Sequence, residues 1–288
     1  MKKVLSTIGS NCFYSLRSGK FWTAVGVLTA VMLLYTLDMY KPWMTGENGL
    51  PTAAPQPIFF YLLMIIDMGL REFSILICAV PAAGIFAEEW HSGRFIFSYI
   101  RNKKPGYTAS TVLSAFFIAA MTCAVSITLY MMITAAIGNP FSGDVNDISF
   151  IQMTDAVING GLLLKGHTFL FYSLLVLTYS FGVGVFSAGA VFISVLITNQ
   201  YIAVVSSMVL YTVLSNVFTI LHGPRLLNVW FVFGVANFIK EFDKEAAENF
   251  LIISMLYPFI FAAVMLMIFI IASHFLIKRK YEKKTDLA

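Results

Sequence analysis

The chain has 288 residues, 59% of them hydrophobic and 12% charged, with a mean hydropathy of +0.81 and a formal net charge of +4. A water-soluble domain carries about 25% charged residues, so this composition excludes a soluble surface and points to a chain embedded in lipid. A helix needs about 20 residues to cross a hydrocarbon core of about 30 Å, and six apolar stretches meet or approach that length.

The first 20 residues hold Lys2, Lys3, Arg17 and Lys20. Among them Val4, Leu5, Ile8, Cys12 and Leu16 recur at helical spacing opposite Ser6, Thr7, Asn11 and Ser15, which predicts a helix lying in the membrane interface. The charged lead is too long for a removable signal peptide and no small-residue cleavage site follows the apolar run, so the run reads as an anchor.

The first span covers about 21–38. The second, 58–87, is interrupted by Asp67, Arg71 and Glu72 and reads as one long helix lying partly outside the membrane. The third, 108–137, stops at Gly138, Asn139 and Pro140, a strong run of helix terminators. The fourth is 168–198, and the fifth, 200–221, follows a tight turn at Asn199. The sixth, 250–277, ends in Lys278, Arg279 and Lys280. The expected fold is a single all-α integral membrane domain of six transmembrane helices over residues 1–288.

Six crossings place both termini on one side. The segments on that side, 1–20, 88–110 and 278–288, hold 13 of the 19 Lys and Arg residues, and cytoplasmic loops carry the excess of these residues. That side is therefore expected to be cytoplasmic, and 11 of the 15 acidic residues fall in or beside the other loops.

Several patterns that resemble chemistry do not assemble into it. Cys12, Cys78 and Cys123 lack a paired spacing and read as buried free thiols, with no disulfide or metal site implied. His91, His167, His222 and His274 are scattered. Residues 161–168 have the glycine spacing of a phosphate-binding loop, but His167 stands where its lysine belongs and no strand precedes it. Gly182, Gly184 and Ser187 imitate a dinucleotide turn inside an apolar helix. There Ser180, Gly184 and Ala188, at four-residue steps, suit close helix approach. No catalytic residue and no metal ligand set is expected.

Asp67, Arg71 and Glu72 are the charges that interrupt an apolar run, and Asp67 and Arg71 can pair one helical turn apart. A charge at the bilayer centre costs at least about 2.5 kcal/mol and usually faces a cavity or a partner. One reading makes the three an external gate or substrate contact. The simpler one, preferred on the sequence, has the helix already outside the membrane there, with its charges solvated.

The most informative loop lies between the second and third spans: Glu88 and Glu89 at the membrane exit, Gly93, then Arg94, Phe95, Phe97, Tyr99 and Ile100, followed by Arg101, Lys103, Lys104 and Pro105. It predicts a compact helical knob whose Phe95, Phe97, Tyr99 and Ile100 offer apolar area to a partner groove or the membrane interface, while its basic residues pair with acidic groups or lipid headgroups.

On Glu88, Glu89, Gly93 and Pro105 the chain resembles the membrane subunits of type 2 ABC exporters. The topology is similar too: six spans with cytosolic termini, an interfacial helix before the first, a coupling helix between the second and third, and an external re-entrant element between the fifth and sixth. Gly223 and Pro224 followed by the apolar stretch 226–238 match the last of these. Arg94 stands where that family often has a small hydroxyl residue, and the family's lysine early in the third span is missing.

The resemblance implies a permease subunit with no cofactor of its own, in the plasma membrane, paired with a second permease copy, identical or different. ATP and Mg would bind a separate ABC ATPase subunit, whose motion the coupling helix (Glu88, Glu89, Gly93, Arg94, Phe95, Phe97) would receive. No nucleic-acid partner is expected. The many Phe, Met and Tyr residues suit an amphipathic peptide or toxin, or a lipophilic compound, as cargo; polysaccharide and drug exporters share the architecture. The rival classes are a secondary transporter, which normally shows broken or charged helices near the midplane, and an intramembrane enzyme, which needs a converging set of reactive groups.

Overall fold

In the computed structural model the described residues are 2–44, 56–66, 70–101, 104–144, 148–155, 159–220, 232–233 and 251–285. Their regular elements are all helical: α1 (Lys2–Leu16), α2 (Gly19–Met44), α3 (Ile58–Ile65), α4 (Arg71–Ala79), α5 (Ile85–His91), α6 (Arg94–Arg101), α7 (Lys104–Ala136), α8 (Ile148–Asp155), α9 (Gly161–Leu164), α10 (Thr168–Leu196), α11 (Gln200–Ile220) and α12 (Leu251–Thr285).

Five of these, α2, α7, α10, α11 and α12, contain stretches long and apolar enough to cross a membrane. The stretch expected to be one long second helix is interrupted near its end: α3 and α4 flank 67–69, which lie outside the described residues, and the break falls beyond α4. After α4 the backbone turns through 80–84, where Ala82 and Ala83 both donate to the Ala79 carbonyl. Pro81 explains the turn, because it has no N–H to continue the helical ladder.

α10 is the central helix and packs against α7, α11 and α12. Its small residues are there for contact, since a Cβ added to Gly184 would come within 2.8 Å of the Phe116 carbonyl of α7 and one added to Gly189 within 2.4 Å of Leu210 on α11. Hydroxyls stitch α2 to α7: Thr29 donates to the Ser126 carbonyl at 3.2 Å and Thr36 shares a 2.7 Å bond with the Tyr130 hydroxyl. Without a hydrophobic force between helices in lipid, close approach and such bonds are what hold spans together.

At the end of the bundle where α10 begins, the Tyr172 hydroxyl accepts the Phe59 N–H at 3.0 Å and donates to the Phe141 carbonyl at 2.8 Å. Phe59 meets Phe150 and Phe171 edge-on there. The opposite end carries α1, α5 and α6.

α1 lies against the start of α7, rotated from its expected orientation. Ile8 is buried and Asn11 donates to the Ser114 hydroxyl at 3.1 Å, whereas Leu5, Phe13 and Tyr14 are exposed. The apolar spacing had suggested that Leu5 and Ile8 share a lipid face with Asn11 opposite. The polar partner on α7 reverses this, because Asn11 satisfies its amide by turning inward. The apolar stretch 226–238 falls almost wholly outside the described residues.

Candidate functional site

α5 and α6 form the expected knob. α5 ends as the Ser92 N–H donates to the Glu88 carbonyl at 3.0 Å and the Gly93 N–H to the Trp90 carbonyl at 3.3 Å. Gly93 then takes φ +71, and a Cβ there would meet nothing within 4 Å. Backbone conformation therefore demands the glycine, not space. Pro105 is the second residue of α7, where its missing N–H has no intrahelical partner to lose.

The knob has its own aromatic core. Phe95 contacts Phe86, Trp90, Tyr99 and Tyr107 at ring-centroid distances of 5.1–5.7 Å, and Tyr99 reaches Tyr281 of α12 at 4.9 Å. Phe95 and Tyr99 are fully buried, so they are not available to a partner as the sequence suggested. They lie one turn apart and point at Phe86 and Tyr107. Phe97 and Ile100, 78% and 60% exposed, form the outward face beside exposed Arg94. Burial and the Glu282 carboxylate push the Tyr99 phenol above its ordinary value, which keeps it protonated.

Four polar contacts tie the knob to the ends of the long helices. Lys20, at the start of α2, forms a 2.7 Å ion pair with Glu88. The Tyr107 hydroxyl of α7 donates to Glu89 at 2.5 Å. His91 Nε2 sits 2.6 Å from the Thr198 carbonyl in the turn between α10 and α11. Lys280 of α12 lies 5.1 Å from the Trp90 ring centroid and donates to the Leu196 carbonyl at 3.5 Å. Glu88 separates two open clefts, of about 570 and 650 Å³. A push on α5 would thus reach α2, α7, α10 and α12 through short, directional contacts.

Arg71 does not lie in solvent as preferred on the sequence. It is 2% exposed, and its Nη1 donates to the Tyr211 hydroxyl of α11 at 3.2 Å. Tyr211 stands 11 residues beyond Gln200, about 17 Å along the helix at 1.5 Å per residue, so the pair sits level with the middle of α11. Glu72 is half-buried and Asp67 lies outside the described residues. Cys78 on α4 and Cys123 on α7, 45 positions apart, are both fully buried in the core where the two helices pack. Among the described residues no cluster of three or more His, Cys, Asp or Glu could hold a metal ion.

The sequence marked Glu88, Glu89 and Gly93 but missed Lys20, His91, Tyr107 and Lys280. The basic residue at the start of the first span was visible as an orientation signal. Its pairing with Glu88, 68 positions away, left no local pattern.

The arrangement defines an α-helical integral membrane protein with a folded knob at one end of its bundle. Comparison with known protein families, with curated proteins and with solved structures finds no match.

Proposed function

We propose that the chain is the membrane-spanning permease subunit of an ATP-driven exporter of the type 2 ABC class. The observation that carries this reading is the knob: two short helices turning on Gly93, braced to α2, α7, α10 and α12, with Phe97, Ile100 and Arg94 turned outward. Such a surface suits receiving mechanical work from a partner.

In this reading the segments α3, α4 and α5 together make the second of six crossings, both termini lie in the cytoplasm, and 226–238 forms the external re-entrant element. The partner ABC ATPase binds ATP and Mg and seats its groove on Phe97 and Ile100. Two permease copies enclose the path in the plasma membrane, and the cargo is an amphipathic peptide or a lipophilic compound.

Affinity purification of the full chain from its native membrane, followed by an ATPase assay, tests the proposal. Recovery of a tightly bound ATPase whose activity is lost in the Phe97→Asp variant supports it. A chain that transports with no associated ATPase overturns it. That second outcome favours a secondary transporter, the rival that buried Arg71 in an interrupted crossing supports.

A further inference from the structure

The 650 Å³ cleft on one side of Glu88 has a composition that its neighbour lacks. At one end it is walled by Val80, Pro81, Ile85 and Ile118, and at the other by Lys20, Glu88, Glu89 and Arg94. Tyr14 and Ser15 of α1 line it as well.

The cleft lies at the boundary between hydrocarbon and headgroups. α7 has 33 residues, about 50 Å of helix, and only about 20 of them fit within the hydrocarbon core. Counting back from its end at Ala136 places that boundary near Phe117, beside Ile118. Ser114, where Asn11 holds α1, is then just outside. Lys20, second residue of α2, reaches Glu88 on α5. The apolar end of the cleft faces the membrane interior and the charged end faces water.

The four charges at the polar end sum to zero, with both signs present. Lys20 pairs with Glu88 and Tyr107 donates to Glu89, so an anionic headgroup would add net negative charge to a balanced site, and a quaternary ammonium would offer the carboxylates no N–H donor. A headgroup with a phosphate and a primary ammonium fits both signs: Arg94 has a planar fork of donors for phosphate oxygens, while the ammonium protons find acceptors on the carboxylates of Glu88 and Glu89. Glu88 uses Oε1 for Lys20, and a carboxylate has about four acceptor positions.

We propose that this cleft binds the headgroup of a phospholipid bearing a primary amine, phosphatidylethanolamine in chemical class, with its acyl chains leaving past Val80 and Ile118. The bound lipid wedges α1 against α5 and completes the polar end of the cleft. The inference requires only that the chain spans a membrane, and so stands apart from the transport reading.

Native mass spectrometry of the full chain, delipidated and then exchanged with vesicles of equal phosphatidylethanolamine, phosphatidylcholine and phosphatidylglycerol, tests it. We expect one retained lipid, with phosphatidylethanolamine favoured about ten-fold over each competitor, the ratio that one good charge-assisted contact supplies. Ser15→Leu, which fills the cleft from α1, should bring retention of all three lipids to one level; Val80→Trp blocks the apolar end and serves if α1 detaches in the first variant, as read by circular dichroism. Equal retention of the three lipids by the unaltered chain, preference for phosphatidylglycerol, or undiminished phosphatidylethanolamine binding in both folded variants would overturn the proposal.

Discussion

Arg71 on α4 and Tyr211 on α11 are joined at 3.2 Å inside the bundle, between helices whose sequence positions differ by 140. Arg71 is the one buried charged side chain among the described residues. A buried guanidinium is tolerated only with its donors directed at acceptors, so the Tyr211 hydroxyl matters more than an ordinary phenol in a core. Tyr211→Phe keeps the ring, its 5.0 Å edge contact with Phe186, and the volume, but removes the acceptor. The expected loss is about 1–2 kcal/mol, read as a lowered unfolding midpoint in detergent. Arg71→Met, which removes every bond the guanidinium makes, should lower the midpoint by at least as much. A Tyr211→Phe protein as stable as the parent would show that the bond contributes nothing.

Cys78 and Cys123 offer a chemical check on how α4 sits against α7. Both are fully buried in the core that the two helices share, and a thiol closed off from water and held protonated reacts slowly. A maleimide should therefore leave the folded Cys12→Ser variant unlabelled in mild detergent and add to both remaining thiols after unfolding, as counted by mass spectrometry. Rapid labelling of the folded variant would contradict the packing of α4 on α7.

These two contacts also show what the sequence carried and what it did not. The long helices α2, α7, α10, α11 and α12 were legible because each contains a long run of apolar residues, and run length is a local property. The knob was legible through Glu88, Glu89 and Gly93, where a glycine after a short amphipathic turn signals its own backbone need. By contrast, whether Arg71 faces water or Tyr211 depends on a helix 140 positions away, and Phe95 and Phe97 have the same chemistry until Phe86 and Tyr107 decide which is inside. The orientation of α1 failed for a related reason. Its apolar spacing was read against lipid alone, while Ser114 gave Asn11 a reason to turn inward.

Gly93 is the position where a single methyl group should separate stability from coupling. Its φ of +71 is strained for any residue with a Cβ, although the space beside it is open. Gly93→Ala should cost about 1–2 kcal/mol locally, and Gly93→Asn less, because asparagine visits this region more readily. Under the transport reading, ATP hydrolysis by the bound partner should continue in Gly93→Ala while export falls, and Gly93→Asn should recover part of the export. Equal export from Gly93→Val, Gly93→Asn and the parent would remove the turn from the mechanism.

The ion pair between Lys20 and Glu88 tests whether the knob communicates with α2. Both side chains are more than half exposed, at 58% and 55%, so the pair contributes about 0.2–1 kcal/mol at most and less at high salt. Losing it should barely move the unfolding midpoint. Under the transport reading its value would lie in position, because it fixes the first turn of α2 to the helix that a partner ATPase would push. Lys20→Glu should therefore reduce export several-fold with little change in stability, since two carboxylates would then face each other and spread the contact. Combining it with Glu88→Lys restores an attractive pair in reversed polarity, and export should return towards the parent level. Recovery in the double variant argues for a mechanical link. If the double variant remains as impaired as Lys20→Glu alone, the lysine acts through something other than Glu88, and the route from α5 into the bundle must run through Tyr107, His91 or Lys280.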